Sequence, residues 1–450
     1  MGERRGAAAP MDPIAFIDAQ PISGFQVRLV LICAAVLLLD GFDAQAMGYV
    51  APNLASDWNL SKSALGPVFS ASLFGLMIGA LVFGPIADRI GRRTVIILST
   101  LAFSLGALIT AAAQDVTALL IIRFLTGLGL GGAMPNAIVM TSEFSPQRRR
   151  ATMVMISLCG FSIGAALAGL LAADLIPRFG WRSVFVVGGI APLIMLPILA
   201  FKLPESVRFL ALHGSAPKRV ANLLHRIAPK TDFPADVTFA VEETHLAGLS
   251  VTHLFRDKRA AATILLWLVY FMSLLDVYFL SNWLPIVLND LGASVTAAVV
   301  IGSMLQVGGV VGTFSLGGLM DRFSFRALAG SYFVAFLAIG AIGQVGHSAA
   351  LVTIPVFAAG FCLVGGQIAV NALAASLYPT SIKSTGIGWA LGVGRIGSIV
   401  GPVVGGLLLQ QKWGTGTIFM VAAAAALCAA CAATFLSRLT SGPLGAATVD

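Results

Sequence analysis

The amino-acid sequence predicts an all-α membrane protein, with twelve transmembrane helices arranged as two pseudo-symmetric six-helix bundles. Hydrophobic residues make up 58% of the 450 residues and charged residues only 11%, whereas about 25% of an ordinary soluble domain is charged. Apolar stretches of about 20 residues, the length that crosses a bilayer, recur along the chain. A charged motif that follows one of these stretches returns in the second half of the sequence. Lipid must therefore be part of the solvent, and a string of soluble domains is excluded.

The apolar stretches divide into six and six, on either side of a long polar segment. Charge, Pro or Gly bounds each stretch. The predicted spans are 26–51, 64–86, 94–113, 116–140, 152–175, 181–201, 260–286, 296–318, 327–346, 350–376, 385–409 and 415–437. The predicted regions are a cytoplasmic N-terminal segment (1–25), an N-terminal six-helix bundle (26–201), a partly helical cytoplasmic central loop (202–258), a C-terminal six-helix bundle (259–437) and a cytoplasmic tail (438–450).

The distribution of Lys and Arg predicts the orientation of these helices. With both termini and the central loop in the cytoplasm, 22 of the 28 Lys and Arg residues lie on the cytoplasmic side and 4 on the outer side. The other two, Arg123 and Arg395, lie inside the membrane. Cytoplasmic loops of membrane proteins carry such an excess. The bias predicts a multi-pass protein with both termini cytoplasmic, and it accounts for the net charge of +8 without nucleic-acid binding.

Two loops repeat at one fixed distance along the chain. Residues 84–93, after the second span, read GPIADRIGRR, and residues 317–326, after the eighth span, read GGLMDRFSFR. The Asp-Arg pair of these loops is displaced by 233 positions, and the same offset relates Pro146 to Pro379. The repeat predicts two homologous halves in parallel orientation, with a substrate site between them near the membrane midplane.

These motifs resemble those of the major facilitator superfamily. The loop at 84–93 is similar to the GxxxDRxGRR signature of that family, and residues 123–131 (RFLTGLGLG) are similar to the RxxxGxGxG pattern of its fourth helix. The resemblance covers nearly the whole chain. It implies the major facilitator fold and an alternating-access transporter that is not an enzyme and uses no cofactor. We predict that it works as a monomer.

A narrower resemblance concerns the first span. Residues 40–43 (DGFD) look like the DGxD signature of the aromatic acid:proton symporters, and residues 16–21 (FIDAQP) and 127–136 (GLGLGGAMPN) are similar too. The resemblance implies symport of protons and small aromatic acids across the inner membrane of a bacterium. The long central loop and residues 282–285 (NWLP) are similar to members that carry 4-hydroxybenzoate and protocatechuate. Asp276 departs from their pattern, which is apolar there.

Ionisable side chains inside the membrane are candidate functional residues, because each costs about 2.5–3.5 kcal/mol to place there. Asp40 and Asp43 share one helix face, and Arg123 falls at a similar depth in the fourth span. Two close carboxylates in a low dielectric do not both ionise easily unless a cation compensates them. We predict that Asp40 or Asp43 takes the transported proton and that Arg123 supplies the counter-charge. The alternative is a permanent ion pair between the first and fourth spans.

Arg395 and Asp276 are the candidate charged groups of the substrate site in the second half. The guanidinium group of Arg395 suits a substrate carboxylate, which it can bind with two hydrogen bonds. The alternative is a structural pair with a carboxylate such as Asp276. For Asp276 we consider binding of a ring hydroxyl, pairing with Arg395, or a second proton site. The uncharged residues predicted to bind substrate are Asn282, Gln367 and Asn371, although each alone is more often an interhelix hydrogen bond.

By the same resemblance, charges at the cytoplasmic helix ends hold the inner gate closed while the transporter faces outward. For Glu143, beside the arginines at 148–150, we predict a solvated ion pair of this gate. Simple topogenic charges are the alternative. The predicted gating residues are Gly84, Asp88, Arg89, Gly91, Arg92, Arg93, Glu143, Asp321 and Arg322.

Other functions remain as alternatives. Residues 204–210 (PESVRFL) resemble a sugar porter motif, but the aromatic acid symporters share it. Drug:proton antiporters carry GxxxGPxxGG in the fifth span, whereas a similar run here lies at 397–406, in the eleventh. Carriage of a non-aromatic organic acid is a further possibility. For a membrane enzyme, the sequence offers no nucleophile–base set, metal-ligand cluster or phosphate-binding loop. Uptake of labelled ligand would separate a carrier from a receptor.

Overall fold

The computed structural model describes residues 11–212, 217–231, 233, 237–239, 251–255, 259–344, 349–378 and 383–440. Within these ranges the side chains at 62, 251–252, 317–318, 321, 349–350, 368–369, 372, 375–376, 383–384 and 440 are not described. Asp321, a predicted gating residue, is therefore known by its backbone alone. Pro379, which the sequence repeat pairs with Pro146, lies outside the described residues.

Nine helices form the N-terminal part of the described chain. They are α1 (Pro13–Ala19), α2 (Gly24–Asp57), α3 (Lys62–Ile90), α4 (Arg92–Ala111), α5 (Val116–Glu143), α6 (Arg150–Phe179), α7 (Arg182–Lys202), α8 (Val207–Leu212) and α9 (Pro217–Ile227). Local signals explain where the long ones begin. Ser23 and Gln26 form a capping box at the start of α2. Asp115 caps α5 by accepting a hydrogen bond from the backbone N–H of Ala118.

Five long helices follow in the C-terminal part. They are α10 (Ala260–Asp290), α11 (Val295–Ile342), α12 (Ala349–Leu377), α13 (Lys383–Gln410) and α14 (Thr415–Thr440). The sequence predicts two helices at 296–318 and 327–346, and the range of α11 contains both, as the apolar spans Val295–Leu316 and Arg322–Ile342, with non-helical backbone angles at Ser324 between them. Eleven segments of the described chain are long and apolar enough to cross a membrane, and α12 holds the shorter apolar stretch Leu351–Gln367. The predicted twelve-helix all-α fold class is confirmed.

Helix packing in the second half repeats that of the first. In the N-terminal half α2 packs on α6, α3 on α5 and α4 on α7, while in the C-terminal half α10 packs on α13, and α11 packs on both α12 and α14. Glycine makes one of these contacts close. A Cβ atom at Gly164 would meet the Leu38 carbonyl, and one at Gly397 would meet the Phe271 carbonyl. Gly397 lies 233 positions after Gly164, and Phe271 lies 233 positions after Leu38. The close contact between membrane helices at a small residue is therefore repeated in the second half.

The two halves meet through the helix pairs α2–α10, α3–α13 and α6–α11. We call the side of the molecule with Gly91 and α9 the basic side, and the side where α2 turns into α3 the distal side. Toward the distal side, the Ser70 hydroxyl donates a hydrogen bond to the Ile399 carbonyl (2.9 Å). Nearby, the rings of Phe69 and Trp283 meet edge-on with centroids 5.4 Å apart. These contacts bind the halves together near the distal side.

The N-terminal segment is fixed to the basic side of the N-terminal half. Asp18 accepts a hydrogen bond from the backbone N–H of Gln147 (2.8 Å) and forms an ion pair with Arg150 (3.0 Å). The central segment lies against the same surface, where α9 buries Val220 and Leu224. The chain before α2 and the chain after α7 therefore cover one end of the same bundle.

Candidate functional site

A buried ion pair joins α2 to α5 in the N-terminal half. Arg123 donates from Nη1 to Oδ1 of Asp43 (3.1 Å) and from Nη2 to Oδ2 (3.0 Å). Its Nη2 also lies 3.3 Å from the Ser72 hydroxyl, and its guanidinium carbon lies 5.6 Å from the centre of the Phe185 ring. Both charged side chains are 0% exposed. Two parallel charge-assisted hydrogen bonds offset part of the cost of burying the two charges.

Asp40, one helical turn away, has a different environment. It is fully buried, and neither carboxylate oxygen has a hydrogen-bond partner among the described residues. It lies within electrostatic range of Asp43 and, from the other half, of Arg395. The structure therefore separates the two carboxylates that the sequence leaves equivalent. Arg123 compensates Asp43, whereas a proton or an approaching cation would have to compensate Asp40.

Arg395 of α13 extends from the C-terminal half toward the N-terminal half. Its Nη2 lies 3.8 Å from the sulfur of Met134 in α5, and its Nη1 lies 3.4 Å from the Tyr278 hydroxyl in α10. Both contacts are long, so most of the hydrogen-bonding capacity of the guanidinium group is available to a ligand. Asp276 has no hydrogen-bond partner among the described residues. The alternative pair between Arg395 and Asp276 is therefore not formed in this conformation.

A narrow cavity lies between the two halves, bounded by α2, α3, α5 and α10. Its polar lining includes Arg123, Ser72 and Asn282, and its other walls are largely apolar and aromatic. The Nε of Arg123 has no hydrogen-bond partner among the described residues. Phe69 lines the cavity as well, and its contact with Trp283 closes the distal end. Ligand sites commonly combine such apolar walls with a few polar groups.

The predicted substrate-binding amides lie in two places. Asn282 lines the cavity. Gln367 accepts a hydrogen bond from the Ser273 hydroxyl (3.0 Å), and Asn371 accepts one from the Tyr270 hydroxyl (2.6 Å). Both of these bonds join α12 to α10 inside the C-terminal half. For Gln367 and Asn371, the interhelix hydrogen bond is therefore the role seen in this conformation.

Asp276 does not line the cavity between the halves. It stands two positions before Tyr278 in α10, which rotates its side chain by about 200° around the helix axis. The side chain is 0% exposed and lies within electrostatic range of Tyr332 in α11. This position, inside the C-terminal half, is away from the cavity that Tyr278 lines. It gives no support to the predicted contact of Asp276 with a ring hydroxyl in that cavity.

Several predicted gating residues form a network around Glu143. Arg92, at the start of α4, forms an ion pair with Glu143 at the end of α5, and its Nη2 lies 3.5 Å from Asp88. The other oxygen of Glu143 accepts a hydrogen bond from the Ser206 hydroxyl. The sequence predicts a solvated pair beside the arginines at 148–150. The structure differs, since the Glu143 side chain is only 9% exposed and the loop at 148–150 faces the N-terminal segment instead.

Glu205 belongs to this network, although the sequence analysis did not select it. Its Oε1 accepts hydrogen bonds from the backbone N–H groups of Arg93 (3.1 Å) and Ser206 (2.9 Å). Gly91 turns the chain between α3 and α4 with φ at 95°, and a Cβ atom there would collide with the Glu205 carboxylate. The signal in the sequence was an acidic residue just after the sixth span, on the same membrane side as the loop arginines.

The other predicted gating residues stand apart from this network. Arg89 is exposed, and a Cβ atom at Gly84 would meet nothing within 4 Å. In the C-terminal half, the Arg322 guanidinium carbon lies 5.1 Å from the centre of the Phe323 ring. The Glu143 network therefore connects α3, α4, α5 and the chain after α7 within one half.

Comparison with known proteins agrees with this architecture. The family model of the major facilitator superfamily matches residues 33–390 and 266–447. The chain is 42% identical to the 4-hydroxybenzoate transporter PcaK of Pseudomonas aeruginosa, over 90% of this chain and 91% of the relative. It is 41% identical to a gallate transporter of Pseudomonas putida, over 94% of both chains.

Solved structures show the same fold. The xylose transporter XylE from E. coli, in a partially occluded inward open conformation, superposes with a TM-score of 0.71 at 16% identity. The match covers 93% of this chain and 98% of that chain. Fold and site thus define a twelve-helix membrane transporter rather than an enzyme, as predicted. The chain belongs to the major facilitator superfamily, which confirms the family resemblance found in the sequence.

Proposed function

We propose that this protein imports small aromatic carboxylates of the 4-hydroxybenzoate and protocatechuate type together with protons, by alternating access. The observation that carries the proposal is the paired arrangement of Asp43 with Arg123 beside the uncompensated Asp40, at the level of a cavity between the halves. The named substrates of the relatives, 4-hydroxybenzoate and gallate, support the substrate class.

In this mechanism Asp40 carries the transported proton. A buried carboxylate without a partner is costly when ionised, and a proton removes that cost. Asp43 is the less suitable carrier in this state, because Arg123 already holds both of its oxygens. When Asp40 releases its proton, its charge attracts Arg395, which lies within electrostatic range. Proton release and substrate release are coupled if the substrate carboxylate and Asp40 compete for that same guanidinium group.

The substrate in this mechanism lies between Arg395 and the cavity. Arg395 binds the carboxylate, since its own contacts are long and its fork matches two carboxylate oxygens. The ring occupies apolar and aromatic surface provided by Phe69, Met47 and Tyr278, with Asn282 available to a ring hydroxyl. Because the cavity is narrow, we expect these side chains to move apart when the ring enters.

In this mechanism the network of Arg92 with Glu143 and Glu205 holds helix ends together on the basic side during gating. It ties the ends of α3, α4 and α5 to the chain after α7, so these three helix ends and that segment move as one unit. We assign this structure to a conformation that faces the basic side, because Ser70, Ile399, Phe69 and Trp283 join the halves distally. Asp321 and Arg322 are proposed to serve the corresponding loop of the second half.

The excess of Lys and Arg on the basic side supports an inner-membrane protein with that side in the cytoplasm. Both termini would then be cytoplasmic, and the central segment, with α8 and α9, would be cytoplasmic too. We propose that one chain is the working unit, since the cavity lies between its own two halves. Labelling single cysteines from outside would test the orientation. A residue after Gly180 should react and a residue in α9 should not.

The decisive experiment is uptake of radiolabelled 4-hydroxybenzoate by cells that express this chain, with and without a protonophore. Asp40→Asn and Asp43→Asn are compared with Asp57→Asn, an exposed carboxylate at the end of the same helix. The amide oxygen of the Asp57→Asn variant can still accept from the indole N–H of Trp181, which Asp57 binds at 2.9 Å. We expect uptake by the unaltered chain and by Asp57→Asn, sensitive to the protonophore in both. Asp40→Asn should still exchange substrate across the membrane but accumulate much less of it than the unaltered chain.

Three results would count against the proposal. No uptake of 4-hydroxybenzoate, protocatechuate, benzoate or gallate would remove the substrate class. Uptake that ignores the protonophore would remove proton coupling. Protonophore-sensitive accumulation by Asp40→Asn as large as that of the unaltered chain would remove Asp40 as a proton carrier and leave Asp43 as the remaining candidate in that half.

A further inference from the structure

The internal repeat relates Asp276 to the motif of the first span. The offset of 233 positions takes Asp43 of α2 to Asp276 of α10. The same offset takes Arg123 of α5 to Val356 of α12, which is fully buried. The C-terminal half therefore keeps the carboxylate that α2 presents to α5 but has an apolar side chain where its arginine would stand. Asp276 is therefore the counterpart of Asp43, but it has no arginine at the position equivalent to Arg123.

The described surroundings of Asp276 contain polar groups but no cation. Its side chain is 0% exposed, and neither oxygen has a hydrogen-bond partner among the described residues. Tyr332, from α11, is fully buried and lies within electrostatic range of Asp276. Ser273, one turn earlier in α10, binds Gln367 of α12. Arg395 of α13 contacts Tyr278, on the opposite face of α10.

These surroundings suit a neutral carboxyl group. An ionised carboxylate at this depth would have no counter-charge among the described side chains, and uncompensated burial of a charge costs several kcal/mol. A proton is the smallest ligand that removes the charge.

We propose that Asp276 is a second proton-binding site, in the C-terminal half, and that each aromatic carboxylate enters with two protons. This inference rests on the proposed function. A monovalent carboxylate that moves with one proton carries no net charge, whereas the same anion with two protons carries one positive charge inward. The membrane potential, negative inside, then drives uptake directly. One charge moved through 100 mV corresponds to about fifty-fold accumulation.

The test uses purified protein in liposomes with radiolabelled 4-hydroxybenzoate. A potassium gradient and valinomycin set a potential of about 100 mV, negative inside, with equal pH on both sides and no sodium. The unaltered chain should accumulate substrate under this potential. Asp276→Asn should lose that accumulation, keep uptake driven by a pH gradient, and keep substrate counterflow. Asp57→Asn should behave as the unaltered chain does.

The possible failures are distinguishable. If the unaltered chain responds to a pH gradient but ignores the potential, the second proton is refuted while the proposed function stands. If potential-driven uptake needs sodium, the site binds that ion and the proton assignment is wrong. If Asp276→Asn elutes as a folded protein but loses counterflow, Asp276 is structural. If the unaltered chain shows no uptake under either gradient, the proposed function itself fails.

Discussion

The two halves of this protein share a packing scheme but differ in how they treat their charges. In the N-terminal half, Asp43 is bound by Arg123 and Glu143 is bound by Arg92, so these two buried acids have basic partners. In the C-terminal half, Asp276 has no partner among the described residues. Two halves with the same helix packing can therefore place equivalent acidic side chains in different electrostatic environments. The first half pairs Asp43 with Arg123 and leaves only Asp40 without a partner, whereas the second half has no arginine at the position equivalent to Arg123.

The turns that follow the second and eighth spans differ in the same direction. Gly91 separates α3 from α4, and its equivalent at the offset of 233 is Ser324, at the kink between the two spans of α11. Both have positive φ, at 95° and 48°. Glycine adopts such a backbone freely, while serine is strained there. The first turn is therefore relaxed and tied to Glu205, and the second is strained.

The largest difference between the halves should be in stability, when the equivalent residues Asp43 and Asp276 are each replaced by the neutral asparagine. Asp43→Asn leaves Arg123 buried without its charge partner, which should cost about 3–5 kcal/mol of unfolding free energy and abolish transport. Asp276→Asn removes no described partner and should change stability by less than about 1 kcal/mol. Denaturant unfolding in detergent measures both. Equal losses of stability in the two variants would mean that Asp276 has an ion partner after all.

The next contrast concerns the two turns. Gly91→Ala should destabilise the protein by about 1–3 kcal/mol, because φ there is positive and the new methyl group collides with Glu205. Ser324→Gly should stabilise it by up to about 1 kcal/mol, because the strain is relieved. Melting temperatures of the two variants and of Gly84→Ala, where a methyl group meets nothing, provide the measurement. A stable Gly91→Ala protein would refute the role assigned to this turn.

A smaller effect is expected at the gate network. Glu143→Gln removes the charge that binds Arg92 but keeps an oxygen for the Ser206 hydroxyl. Uptake should fall about tenfold, the kinetic equivalent of about 1.4 kcal/mol. Exchanging the two charges, as Arg92→Glu with Glu143→Arg, should recover part of the loss. If the exchange is no better than either single change, the residues do not act through their ion pair.

The smallest effect is expected at the N-terminal segment. Asp18→Asn weakens the part-exposed ion pair with Arg150, and such pairs contribute about 0–1 kcal/mol. The amide oxygen of this variant can still accept from the backbone N–H of Gln147. Uptake should stay within about twofold of the unaltered chain at ordinary salt. A loss as large as that of Glu143→Gln would show that this segment takes part in gating.

Hydropathy alone predicted the spans, because a bilayer imposes length and apolarity on every helix that crosses it. It predicted the eighth and ninth spans, but not that they meet at a sharp kink at Ser324, since an apolar pattern does not record backbone angles. Proline, glycine and charged residues mark the end of a helix reliably only where the backbone itself leaves the helical conformation, as it does at Gly91 with its positive φ.

The charges inside the membrane were equally visible, and the depth argument brought Arg123 to the level of the DGFD motif, where the structure pairs it with Asp43. Depth in the membrane did not show which of Asp40 and Asp43 pairs with Arg123, because the pairing depends on the direction in which each side chain points. Direction also separates Asp276 from the cavity. Glu205 escaped selection because its partner is the backbone of the turn after Gly91. Contacts of that kind cannot be read from residue types.

The ion pair between α2 and α5 also constrains how the protein is made. During synthesis α2 leaves the ribosome well before α5, so Asp40 and Asp43 reach the bilayer before Arg123 exists. Each carboxylate then adds about 2.5–3.5 kcal/mol to the insertion of the first helix. We therefore expect α2 to wait beside the insertion machinery until α5 arrives. Chains truncated before Arg123 should leave α2 poorly inserted and open to degradation.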